Sequence, residues 1–191
     1  ALLSYDGKLV LRGVAFRSSR AEPFGEDFLR RAIRALLEGD IPRVRAEFVH
    51  TVSGLRERRY ETREVSSRVR LTKSPAAYHA LRDKRRELTY EAMLASGRAT
   101  WSVGDRVRVY RTTMGYGGVV EERDADEAPA ASDRRDYDVE HYLRVLRDTY
   151  GARLARAFTP EDFAAVFADP EQPSLWTISL DAVRAVLTPM R

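Results

Sequence analysis

Much of this sequence is cut into stretches that repeat apolar residues at the helical interval, each closed by proline, glycine or a capping side chain. The first opens at Pro23 and sets Phe24, Phe28, Leu29, Ala32, Leu36 and Leu37 along one face, with Gly39 as its C-cap. A second starts near Pro42, carries Val44, Phe48, Val49 and Val52 on one side, and is expected to end at Gly54. Ser74-Pro75 supplies an N-cap and a proline for the first helical position, predicting a helix that runs to about Ser96 before Gly97. From residue 136, DYDVEHYLRVLRDTYGARLARAF predicts one long amphipathic helix with Val139, Tyr142, Leu143, Leu146, Leu154 and Phe158 on its apolar side. Thr159-Pro160-Glu161-Asp162 then opens another helix.

The strand signals are shorter. LLSYDGKLVLRGV reads as a hairpin turning at Asp6-Gly7. VGDRVRVYRTT alternates valine with arginine, the pattern of a strand in a sheet with a basic face. RERRYETREVSSRVRLTK reads as extended or irregular, GYGG at 115–118 as a flexible turn, and the tail LWTISLDAVRAVL as ending in a short helix or strand. The fold expected is α+β and mainly helical, with an N-terminal hairpin and a small antiparallel sheet. One domain is expected over 1–191: a hairpin to 20, a basic lobe over 21–120, an acidic mobile loop at 121–135 and a helical lobe over 136–191.

A chain of 191 residues can bury a sizeable core, and 43% hydrophobic with 32% charged residues describes a soluble globular protein. No stretch reaches the roughly 18 apolar residues of a membrane span. No signal peptide is visible, and the missing initiator Met is read as a sign of a processed or excised piece. The chain has no cysteine, which excludes disulfides and thiolate chemistry and fits a reducing, cytoplasmic setting.

The formal charge of +4 hides an asymmetry. Residues 1–110 hold 23 Lys/Arg against 14 Asp/Glu, whereas residues 111–191 hold 10 against 15. Such a division fits a polyanion held on the N-terminal side. The cations crowd RVRLTKSPAAYHALRDKRREL, where Tyr78, Arg82, Arg85 and Arg86 fall at helical spacing and predict one cationic stripe beside a helix start. The alternative for that stretch is a solvated helix face, partly neutralised by Asp83 and Glu87. For Arg106 and Arg108 a solvent-facing role is the expectation.

Catalytic chemistry is hard to find. His50, His79 and His141 are scattered without a partner at metal-ligand spacing and read as surface or half-buried residues. Asp124 and Asp126 lie in an Ala/Pro-rich loop that cannot hold a two-metal site rigid. GYGG lacks the lysine and helix of a phosphate loop, and no nucleophile elbow is legible. The chain alone is expected to carry out no catalysis.

The order of segments resembles the C-terminal thumb region of family B DNA polymerases over nearly the whole chain. DGKLVLRG at 6–13 is similar to that family's hairpin ending in a basic residue and glycine. LTKSPAAY looks like the thumb element leading into a phosphate-facing helix, SGRATWSVGDRVRVY is similar to a glycine–turn–strand stretch, and DYDVEHYLRVL resembles its Tyr-Asp-x-x-Tyr-Tyr helix. The family's paired arginines after the first glycine are replaced by Arg17-Ser18-Ser19-Arg20.

The resemblance implies a part that grips double-stranded primer–template DNA by its backbone and adjoins the palm domain of a parent polymerase, in replication or repair. The catalytic carboxylates and their magnesium would belong to that palm; no cofactor is expected in this chain. The DNA contacts it implies, together with the basic stretch, are Arg12, Arg17, Arg20, Arg68, Arg70, Lys73, Ser74, Tyr78, Arg82, Arg85 and Arg86. A stand-alone nucleic-acid-binding module, or a protein-interaction domain using the acidic lobe, is the alternative.

Overall fold

The computed structural model describes residues 2–3, 9–10, 21–120, 133–171 and 179–186. The fold is α+β and mainly helical, as expected. At the start, β1 (Leu2–Leu3) and β2 (Leu9–Val10) pair antiparallel, with Leu2 opposite Val10. That is the hairpin predicted from Asp6-Gly7, whose turn lies outside the described residues.

Two compact units follow, and they are not consecutive in the chain. One takes Phe24–Glu57 and Tyr142–Arg191; the other centres on Arg58–His141. The sequence reading grouped 21–120 together, but the first two helices pack with the C-terminal ones.

In the first unit, α1 (Pro23–Leu37) ends where expected. Gly39, at φ +78°, donates to Leu36 O at 3.1 Å and Asp40 N–H donates to Ala35 O at 2.9 Å, a Schellman closure that only a residue free of Cβ strain adopts readily. The Asp40 side chain then accepts from Arg43 N–H at 2.9 Å and caps α2 (Ile41–Arg56). This helix runs through Gly54 rather than stopping there, because it carries Leu55 into the core with no exposed surface. Phe24 meets Tyr142 and Tyr150 edge-on, and Phe48 meets Phe28 and Phe167 in the same way.

The long helix expected from 136 is a continuous helical path of three kinds. It begins as α6 (Val139–Val145), widens into a π turn (Leu146–Tyr150) and tightens into a 3-10 stretch (Gly151–Ala157). Tyr142, Leu146, Tyr150, Leu154 and Phe158 are all buried at four-residue spacing. Such spacing drifts about 40° per step around an α-helix, and the wider turn takes up part of that drift. Thr159 then caps α7 (Pro160–Val166). The Arg45 guanidinium donates to Val166 O and Ala168 O, satisfying carbonyls freed at the end of α7. Of the tail, a 3-10 turn at Leu180–Ala182 is described.

In the second unit, a stretch expected to be irregular contains the single turn α3 (Thr62–Val65), closed by reciprocal Glu61 and Glu64 capping bonds, and then β3 (Ser67–Arg70). The single helix predicted over 75–96 is two: α4 (Pro75–Leu81) and α5 (Leu88–Ala95). In one straight helix Tyr78 and Tyr90 would stand about 18 Å apart along the axis. Folded back, they stack at 4.5 Å and 22°.

Strands β4 (Arg106–Arg111) and β5 (Gly117–Val120) complete an antiparallel sheet of order β3-β4-β5. Gly117 and Gly118 are therefore strand residues, not part of a loose turn. A Cβ on Gly117 would stand 2.6 Å from Ala92 Cβ of α5, and one on Gly118 2.3 Å from the Tyr110 ring. Only glycine allows that approach. Val69, Val107, Val109 and Val119 face inward on Leu71, Tyr78, Tyr90, Met93 and Trp101.

Candidate nucleic-acid interface

Period-two alternation turns every second residue of β3 and β4 away from that core. The register sets Val69 opposite Val107 on the inner face. On the outer face it sets Arg68 opposite Arg108 and Arg70 opposite Arg106. Four arginines thus share one sheet surface as two cross-strand pairs. Like charges directly opposite one another destabilise a sheet. Among the described residues neither Arg70 nor Arg106 has a carboxylate within salt-bridge distance, and both are exposed. Residues 58–120 carry 14 Lys/Arg against 6 Asp/Glu, so most of the basic excess sits in this unit.

The cations of the α4 region are arranged differently. The predicted stripe does not form, because α4 ends at Leu81 and Arg85 and Arg86 stand exposed in the turn that follows. Tyr78 has no exposed surface; its hydroxyl donates to Glu91 Oε1 at 2.7 Å and accepts from Glu87 N–H at 3.1 Å. Arg82 binds Glu91 in a fork, Nε to Oε1 at 2.7 Å and Nη2 to Oε2 at 2.9 Å. The Arg82 bond first, then the Tyr78 bond, hold the Glu91 carboxyl down to about 2. Desolvation pushes the Tyr78 phenol up.

Lys73 Nζ pairs with Glu87 and lies 5.6 Å over the Tyr90 ring, while its backbone N–H donates to Tyr90 Oη and its carbonyl accepts from Trp101 Nε1. Ser74 Oγ accepts from Ala77 N–H at 3.2 Å and is taken up in capping α4, a helix of seven residues. The side chains of Tyr78, Arg82, Lys73 and Ser74 therefore build the unit. Arg12, Arg17 and Arg20 lie outside the described residues, as do Asp124 and Asp126.

The structure brings together Arg68 and Arg70, which the sequence singled out, with Arg106 and Arg108, which it left to solvent. The signal for the second pair was present as alternation in RVRV. Its partner strand stands more than thirty residues upstream, and pairing at that distance leaves no local trace. His50 and His79 are exposed, His141 is half-buried, and no group of metal-ligating side chains occurs among the described residues. No helix among them is long and apolar enough to cross a membrane. The sequence matches no protein-family profile and no curated protein.

Proposed function

We propose that this chain holds the backbone of duplex DNA, acting as the thumb of a family B DNA polymerase on primer–template in replication or repair. The observation that carries the DNA-binding part is the pairing of arginine with arginine across β3 and β4. A surface that sets like charges opposite one another is made more stable by an anion between them, and guanidinium groups fork onto phosphate oxygens. Phosphate contacts hold any sequence, as a grip on advancing DNA requires. The polymerase part draws on the segment order, from DGKLVLRG through LTKSPAAY to DYDVEHYLRVL. The palm of a parent enzyme, with its magnesium and carboxylates, would supply the chemistry in a cytoplasmic setting.

The test uses the full chain and a primer–template with a single-stranded overhang. A photo-crosslinker at exposed Thr72, beside the arginine face, should attach to the duplex behind the primer terminus. Attachment confined to the overhang, or none at low salt, would contradict the proposal. The chain with magnesium should extend no primer.

A further inference from the structure

We infer that the arginine face holds two successive phosphates of one nucleic-acid strand, each gripped by a cross-strand pair: Arg68 with Arg108, and Arg70 with Arg106. This deepens the DNA-binding reading above and rests on it. Residues opposite one another in an antiparallel ladder have Cα atoms about 4.5–5.5 Å apart. Alternate residues along a strand stand about 6.7 Å apart. The four arginines therefore form two close pairs separated by a longer step. Adjacent phosphates on one B-form strand are about 7 Å apart once the rise of 3.4 Å is combined with rotation about the axis. The longer step matches that spacing, and the shorter one brings two guanidinium groups onto a single phosphate.

The next row on the same face explains why the number is two. There Tyr110 stands opposite Gly118, and its hydroxyl donates to Asp136 Oδ1 at 2.8 Å. A carboxylate at that position repels a third phosphate. At the other end Gly104, at φ +102°, lies beside the Arg70 guanidinium; a Cβ there would stand 3.5 Å from Arg70 Nη2.

Two double variants of equal charge separate this arrangement from diffuse attraction. Arg70→Ala with Arg106→Ala removes one whole pair and so releases one phosphate. Arg68→Ala with Arg70→Ala leaves one arginine on each phosphate. Affinity for a short mixed-sequence DNA duplex is measured against salt, with thermal melting to establish that each variant is folded. Removing the pair should flatten the log–log slope by about 0.9, and removing two arginines from one strand should change it by less than about 0.4. Equal flattening by both variants, with the unaltered chain binding DNA, would overturn the pairing and leave the DNA-binding reading standing. Failure of the unaltered chain to bind duplex at low salt would overturn both. Binding to an acidic peptide with the same pair dependence, and not to DNA, would overturn the assignment to nucleic acid.

Discussion

Arg82 holds Glu91 through two parallel bonds across the break between α4 and α5. The pair fixes the fold-back that stacks Tyr78 on Tyr90, so Arg82 contributes to the unit rather than to a ligand. Its carboxyl titrates at about 2, below the ordinary 4.5. A lowered carboxyl contributes stability that is present above its unfolded value and lost as pH falls toward its folded one. Acid should therefore destabilise this unit progressively between about pH 4.5 and 2. Glu91→Gln should lower Tm at neutral pH by several degrees and flatten that acid limb, followed by circular dichroism. An acid limb unchanged by Glu91→Gln would contradict the assignment.

At high pH the sign reverses. Burial, above all, pushes the Tyr137 phenol up to about 12 and raises Tyr110, whose bond to Asp136 adds to the shift. A raised phenol favours the folded state below its unfolded value near 10, and that contribution is lost as pH rises through the folded one. Ultraviolet titration should show phenols ionising late, and Tyr110→Phe should remove one of them. Titration of every tyrosine near pH 10 in the folded chain would be the contrary result.

Gly118→Ala should destabilise the sheet by about 1–3 kcal/mol, because the new methyl enters the space of the Tyr110 ring. Adding Tyr110→Leu should recover part of the loss. A single variant that melts like the unaltered chain would show that the ring moves aside freely.

Legibility in the sequence followed the range of the interactions. Helix ends set by neighbours were readable, as at Gly39 and Asp40, or at Thr159 and Pro160. The break after Leu81 was not, because Tyr78–Tyr90 stacking and the Arg82–Glu91 fork outweigh the propensity of HALRDKRREL to continue as a helix. Arg68 and Arg70 were visible as alternating cations; their pairing with Arg108 and Arg106 follows from the register of β3 on β4 alone. Tyr78 and Arg82 looked like ligand contacts because helical spacing reports a face without telling which side of it is buried.

A charge reversal tests whether the arginine pairs hold the sheet at a cost in stability. Arg106→Glu would place a carboxylate opposite Arg70, turning a repulsive pair into an attractive one worth about 0.2–1 kcal/mol. Tm should rise slightly while duplex affinity falls. A lower Tm, or unchanged affinity, would argue against like-charge strain at this position.

The salt dependence of duplex binding tests the central proposal most directly. Arg68, Arg70, Arg106 and Arg108 are changed together to alanine, and a control of equal charge loses Arg144, Arg147, Arg153 and Arg156 from the other unit. The log–log slope should flatten by about 1.8 in the first variant, the release of two phosphates, and by less than about 0.4 in the control. Equal flattening in the two variants would mean that net charge alone draws the chain to DNA, and the sheet face would not be its grip.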